Sequence, residues 1–315
     1  MSAVIVLGVS RSGTTLLKSM LDAHSQLAIP TESYFIPQLW DRHGERPDRN
    51  AILADLRRLE RIRQWGIDVE ALGQHLPAEP SFAQVIDGVY SAYAESQGKA
   101  RYGDKTPLYM QHLELLARVF PNARYVHIVR DGRDAALSFL GMTRRPRFNV
   151  SRPRAVGDFA AAWRREILAA RRFGREHPYL EVRYEELVAD PGARLRAVCS
   201  FLGLAYEPTM LEYHRAPDLD ITVDHVLLAQ PPASTARKWR EQMAERDVEL
   251  FEAIAGDVLS ELGYERAHPH PGRRARAAAE RAVYAARVGA WRAVLPLVRK
   301  SPAWRLRQVY IRRAT

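Results

Sequence analysis

Apolar positions in this chain fall into short unbroken runs separated by longer stretches of helical spacing. Val4-Ile5-Val6-Leu7 stops at Gly8, Tyr125-Val126-His127-Ile128-Val129 stops at Arg130, and Arg101 to Asp104 and Tyr179 to Val182 are weaker runs of the same kind. Short apolar runs closed by turn or charged residues predict buried strands. Between them, Leu16, Leu17, Met20 and Leu21 recur at three- and four-residue steps and predict a helix from Thr14 to about Asp22-Ala23-His24. Further helices are predicted from Thr31-Glu32-Ser33 through Trp40, over 50–97 with a break at Pro77–Pro80, from about Leu108 to Phe120, from Asp131 onward, and over 155–176. Ser25 to Pro30 reads as a connection. Strands alternating with helices predict a parallel sheet, with ligands beyond the C-terminal strand ends.

Two strand ends carry candidate chemistry. Gly8 to Thr15 reads G-V-S-R-S-G-T-T, a strand, then Gly-x-x-x-x-Gly, then a helix. This is the frame of a nucleotide-phosphate loop, because unpaired amides at a helix N-terminus point at the loop with the positive end of the dipole behind them. Thr14 stands where a triphosphate-binding loop carries Lys, which argues against a triphosphate with magnesium. Arg11 is the only cation of the loop, and Ser12, Thr14 and Thr15 add hydroxyl donors. The plainer reading of the Ser/Thr residues is helix capping. At the second strand end, Arg130-Asp131-Gly132-Arg133-Asp134 is followed by Ser138, about two turns into the next helix. Arg130 and Ser138 suit a second phosphate; the alternative is an arginine paired with Asp131 or Asp134. The predicted fold is α/β, a P-loop-like three-layer sandwich with a central parallel sheet flanked by helices, helical insertions and a basic helical C-terminal tail.

Length and composition narrow the class. A chain of 315 residues, 47% hydrophobic and 27% charged, fits a soluble globular domain with elaborations. The expected division is a main domain over 1–265, with a helical cap at about 33–100, and an extension over 271–315. The single cysteine, Cys199, leaves no intrachain disulfide and no cysteine-rich zinc site. No stretch reaches the ~20 apolar residues of a membrane span, and a strand beginning at Ala3 predicts no signal peptide. A cytoplasmic protein is the expectation, peripheral on the inner face of a membrane if the tail binds lipid.

The net charge of +10 is uneven: residues 271–315 hold 12 Arg or Lys and one acid, Glu280, so the body is nearly neutral. Basic residues there interleave with Tyr284, Trp291, Trp304 and aliphatic positions, and Pro296 and Pro302 predict short helical pieces. Three readings stand: an appendage packed on the body or an oligomer contact, an anionic membrane surface, and, least favoured, nucleic acid.

Taken together, the motifs resemble the sulfotransferases that use 3′-phosphoadenosine 5′-phosphosulfate. Ser10–Leu17 is similar to that family's 5′-phosphosulfate loop and Val129–Ser138 to its 3′-phosphate element. Met20–His24, Glu32 before Ile36-Pro37, Lys105 in D-K-T-P, Phe120–Ala123 and Arg183–Leu187 look like the tyrosylprotein and carbohydrate branches. The resemblance implies that Arg11, Ser12, Gly13, Thr14 and Thr15 hold the 5′-phosphosulfate, and Arg130 and Ser138 the 3′-phosphate. It places Tyr184 beside the adenine and Lys238-Trp239 over the nucleotide. It makes Glu32 the general base, with Arg11 and Lys105 neutralising charge at the bridging oxygen, and no metal. Thr222 loosely matches a serine of the tyrosylprotein branch. His24, His112 and His127 are the alternative bases. The implied acceptor is a hydroxyl of a carbohydrate, lipid or small metabolite, since the membrane anchor and disulfides of the tyrosylprotein enzymes are missing here. A P-loop-type small-molecule kinase is the alternative, and a nucleotide-binding scaffold tethered by its tail is a third.

Overall fold

The computed structural model describes residues 2–142, 153–215 and 238–300. Five strands form one parallel sheet: β1 (Val4–Leu7), β2 (Leu27–Ala28), β3 (Arg101–Lys105), β4 (Arg124–Val129) and β5 (Tyr179–Arg183), in the order β2-β3-β1-β4-β5. The chain leaves β1 toward β2 and β3 on one side and later returns to β4 on the other. The C-terminal ends of β1, β3 and β4 therefore surround the crevice where a doubly wound sheet binds ligands. Pairing is in register over Val4↔Gly103, Ile5↔Asp104 and Val6↔Lys105, and over Val4↔Arg124 to Leu7↔His127. At Gly103 a Cβ would meet the Val4 carbonyl oxygen at 2.5 Å, so the strand needs glycine there.

The helices are α1 (Thr14–Asp22), then α2 (Ile36–His43), α3 (Arg49–Arg58), α4 (Glu60–Gln64), α5 (Val69–His75) and α6 (Phe82–Ser96) between β2 and β3. A 3₁₀ turn (Pro107–Gln111) and α7 (Leu113–Val119) follow β3, and α8 (Gly132–Leu140) and α9 (Val156–Phe173) follow β4. After β5 come α10 (Tyr184–Ala189), α11 (Pro191–Leu202), α12 (Trp239–Gln242), α13 (Glu245–Glu261) and α14 (Arg274–Lys300).

The described residues divide into two compact units, 1–135 with 166–238, and 136–165 with 239–315. The first unit holds the whole sheet. Its core joins Val4, Val6, Val126 and Ile128 to Leu17, Met20 and Leu21 of α1 and to Leu187, Val198 and Leu202. In the second unit Trp163 packs on Phe251, and α14 buries Ala277, Tyr284 and Val288. Arg164 forms a bidentate pair with Asp257 there.

Several expected boundaries move, each for a local reason. Leu27–Ala28 is a strand inside the expected connection, too short to show a period. The helix after Glu32 starts only at Ile36, because Tyr34 takes φ 57°, which no right-handed helix admits. The stretch from Leu108 to Phe120 breaks at His112, whose φ is −134°. The described part of the tail is one helix through Pro296, where a division was expected, since a single missing amide near the end of 27 residues does not stop it; Pro302 lies outside the described residues.

Candidate active site

Each of the five strands ends beside a candidate residue. The loop after β1 turns tightly, with Ser12 N–H donating to the Val9 carbonyl at 3.1 Å, and passes through two residues of positive φ, Arg11 at 72° and Gly13 at 93°. A non-glycine residue held left-handed costs about 1–2 kcal/mol, and such positions gather at functional sites. Gly13 tolerates its φ freely, and a Cβ there would lie 2.5 Å from Tyr184 Cδ2. The loop is thus packed directly against the residue that follows β5.

Two observations favour anion binding over capping. No side chain caps α1, so its first amides have no side-chain acceptor. Ser12 is fully buried and its Oγ has no hydrogen-bond partner. An unpaired buried hydroxyl costs about 1–3 kcal/mol, which an oxyanion in the loop would recover. Together they fit an oxyanion held by the backbone cradle and hydroxyls of this loop.

The Arg130 side chain crosses from the end of β4 to this loop. Its guanidinium lies 4.7 Å from the centroid of the Tyr184 ring, and Nη1–H donates to the Arg11 carbonyl at 3.2 Å. Asp131 instead binds Arg133 through Nε at 3.0 Å and Nη2 at 2.7 Å, and accepts the Arg133 amide at 2.9 Å. The buried partner of Asp131 is therefore the second arginine of the motif. Glu185 accepts the Asp131 amide at 2.9 Å, tying the start of α8 to α10.

On the other side of β1, Lys105 ends β3 and Glu32 lies in the loop after β2. Lys105 Nζ donates to Glu32 Oε1 at 2.5 Å and to Thr15 Oγ1 at 3.3 Å. One ammonium thus joins the first turn of α1 to the carboxylate. Glu32 is not an end-cap of α2, whose N-cap is Phe35.

Beneath this pair lies a buried polar network that pattern reading missed. Asp104 Oδ2 accepts Tyr90 OH at 2.6 Å, Ser33 Oγ at 2.9 Å and Thr106 Oγ1 at 3.3 Å. Tyr109 OH lies 2.6 Å from Ser33 Oγ. Burial raises the Asp104 carboxyl to about 6 despite these donors. The signal available in the sequence was an acid inside a strand, Asp104, next to the candidate cation.

The histidines are held elsewhere. His24 is buried, with Nε2 at 2.8 Å from the Ala205 carbonyl and Nδ1 accepting the Gln26 amide at 3.0 Å. His127, on β4, is buried with Nδ1 on the OH of Tyr179 of β5, and burial lowers it to about 4. His112 links the 3₁₀ turn to α7.

The remaining expected residues are divided between the two units or lie outside the described residues. Ser138 is half-buried on α8 and belongs to the second unit, whereas Arg130 and Tyr184 belong to the first. Lys238 is exposed at the last residue of the first unit; Trp239 is buried in the second, with the Arg240 guanidinium 4.9 Å from its ring centroid. Thr222 lies outside the described residues. Among the described residues no three His, Cys, Asp or Glu side chains gather as a metal site, and no helix is long and apolar enough to cross a membrane.

Comparison with known proteins is consistent with this geometry. A model of the sulfotransferase family matches residues 3–208. Protein-tyrosine sulfotransferase 2 of Gallus gallus is 26% identical over 275 residues, covering 84% of this chain and 67% of its own length. The nodulation protein NoeE of Sinorhizobium fredii is 28% identical over 295 residues, covering 84% and 66%. Among solved structures, the sulfotransferase domain of the Synechococcus PCC 7002 olefin synthase superposes with a TM-score of 0.58 at 26% identity, covering 84% of this chain and 95% of that one.

Proposed function

The chain belongs to the sulfotransferase family, and on that premise we propose that it moves a sulfuryl group from 3′-phosphoadenosine 5′-phosphosulfate to a hydroxyl of a carbohydrate, lipid or small metabolite, with Glu32 as proton acceptor. The observation that carries this reading is the Lys105 ammonium, bonded at once to Glu32 and to the phosphate-loop residue Thr15. Such a cation neutralises charge on the bridging oxygen next to the group that accepts the proton.

The residues divide the work as follows. The amides and hydroxyls of Ser12 to Thr15 hold the phosphosulfate, and Arg11 faces the same charge. Arg130, stacked on Tyr184, supplies the cation for the 3′-phosphate, with Tyr184 beside the base. Glu32 takes the proton of the acceptor hydroxyl as its oxygen bonds to sulfur; the bond from sulfur to the bridging oxygen breaks, and adenosine 3′,5′-bisphosphate leaves. Positioning and charge neutralisation carry most of such a transfer. Each well-placed donor contributes about 3 kcal/mol at the transition state. The protein needs no metal in this scheme, because Lys105 and Arg11 supply the positive charge.

A protein tyrosine is the second acceptor reading, favoured by the names of relatives such as the Gallus gallus protein. The donor assignment is tested by calorimetry with adenosine 3′,5′-bisphosphate in excess chelator. Binding is expected, weakened about 10- to 100-fold in Arg130→Ala by loss of a charged hydrogen bond. Binding of magnesium-ATP alone would overturn the assignment.

A further inference from the structure

Glu32 and Lys105 are the middle residues of two tripeptides, Thr31-Glu32-Ser33 and Asp104-Lys105-Thr106. The backbone ladder between β2 and β3 pairs Leu27 with Arg101 and Ala28 with Tyr102, and ends there, before either member of the ion pair. Beyond that point the flanking side chains hold the two segments together. The Ser33 amide donates to Thr106 Oγ1 at 3.0 Å, and Ser33 Oγ donates to Asp104 Oδ2 at 2.9 Å. Both neighbours of Lys105 are thus bonded to the residue after Glu32. Tyr109 OH closes the joint, lying 2.6 Å from Ser33 Oγ and accepting the Ile36 amide at 3.2 Å. On the other side of Glu32, Thr31 Oγ1 accepts Arg61 Nη1–H at 3.1 Å and Trp65 Nε1–H at 3.0 Å, from α4 and the residue that ends it.

The ion pair alone would not fix this geometry. Two long, rotatable side chains can keep one contact over a range of backbone separations. What places the carboxylate is the position of the two Cα atoms from which the side chains grow, and the bonds of Ser33 and Thr106 set that position. The network is also a poor device for stability. Asp104 is buried with Tyr90, Ser33 and Thr106 hydroxyls all donating to Oδ2, while its Oδ1 is buried with no hydrogen-bond partner, and burial raises its carboxyl to about 6. A buried polar network with an unsatisfied member gains little over apolar packing; what it supplies is a single geometry.

We propose that Ser33 and Thr106 are positioning residues that hold Glu32 and Lys105 in register with each other, with Asp104 as the acceptor their hydroxyls share. This inference rests on the sulfotransferase reading above and deepens it. Neither hydroxyl touches the reacting groups; each acts through the residue next to it in sequence. Misplacing a reacting group by about 1 Å costs on the order of 10²-fold in rate, so a clamp on both flanks of the proton acceptor serves the transfer directly.

The test is proton exchange at the Lys105 ammonium, followed by NMR on the full chain with nitrogen-15 in its lysine side chains. The chain has five lysines, Lys18, Lys99, Lys105, Lys238 and Lys300, and Lys105→Met identifies the signal by its loss. Thr106→Val removes one hydroxyl with little change of shape, and Ser33→Ala removes the other. In each variant the Lys105 ammonium is expected to exchange about three- to tenfold faster, the effect of losing one ordinary hydrogen bond, and so to approach the rate in Glu32→Gln. Thr106→Ser keeps the hydroxyl and is expected to return the parent rate. Calorimetry on the same samples is expected to show adenosine 3′,5′-bisphosphate affinity retained. Parental exchange in Thr106→Val and Ser33→Ala, even with a lower urea midpoint, would make the network merely structural and overturn the proposal. Thr106→Ser behaving as Thr106→Val would overturn it too. Failure of the parent chain to bind the bisphosphate would instead overturn the donor assignment.

Discussion

Lys105 and Glu32 form an ion pair of 2.5 Å that joins the end of β3 to the loop after β2, although 73 residues separate them in sequence. Lys105 is buried and Glu32 partly so, and the same ammonium reaches Thr15 at 3.3 Å. The pair is therefore assembled by the fold before any substrate arrives. Glu32→Gln keeps an oxygen for Lys105 but removes the proton acceptor. Turnover is expected to fall about 10²–10⁴-fold, with bisphosphate affinity retained; steady-state kinetics and calorimetry on the same preparation check both.

Lys105→Met removes the cation while preserving the length of the stem. Turnover is expected to drop about 10²–10³-fold. Because the two groups touch, the double variant with Glu32→Gln should lose far less than the product of the single losses. Strictly multiplicative losses in the kinetic cycle would show that the residues act independently.

Gly13→Ala adds a methyl group 2.5 Å from Tyr184 Cδ2 at a residue whose φ is 93°. Urea unfolding should show a loss of about 2–4 kcal/mol, combining the left-handed backbone cost with overpacking. Tyr184→Ala placed in the Gly13→Ala background should relieve only the overpacking, so the pair is expected to be less destabilising than the sum of its members.

Two buried groups make stability depend on pH in opposite directions. Burial raises Asp104 to about 6, so between pH 4 and 6 the unfolded chain ionises first and stability falls as pH rises. Burial lowers His127 to about 4, so between 6.5 and 4 the unfolded chain takes up the proton first and stability falls as pH drops. Each contribution is on the order of 3 kcal/mol. Asp104→Asn should therefore gain on the parent as pH rises from 4 to 6, and His127→Gln should gain as pH falls over the same range. Denaturant titrations at pH 4.5, 5.5 and 7 measure both slopes.

In the second unit, Tyr284 is buried on α14 with the guanidinium groups of Arg165 and Arg287 5.5 and 5.3 Å from its ring centroid. Tyr284→Ala should cost about 3–5 kcal/mol of that unit's stability, read as an earlier thermal transition. An unchanged transition would mean that the helix contributes little to the unit.

The parts of the site that were legible in the sequence are those fixed by backbone chemistry. The abrupt strand ends at Gly8 and Arg130 are visible because a buried run must stop at a turn, and the helix after Gly13 because its apolar spacing is strong. Lys105 and Glu32 could be named from their motifs, but their bond depends on the crossover that sets β2 beside β3, which no local pattern encodes. β2 itself is two residues long and carries no period. Ser33, Tyr90, Asp104 and Tyr109 escaped for the same reason: each reads locally as an ordinary polar or aromatic residue, and only their convergence over 76 positions of sequence makes a network.

Asp104 and Lys105 are neighbours on a strand, so their side chains leave opposite faces, one into the Tyr90–Ser33 network and the other toward Thr15 and Glu32. A slip of β3 by a single residue would exchange them, burying an ammonium among hydroxyls and setting a carboxylate against Glu32 in a site built for anions. The alternation of charge thus specifies the register of β3: the slipped pairing is disfavoured electrostatically, by roughly several kcal/mol, relative to the native one.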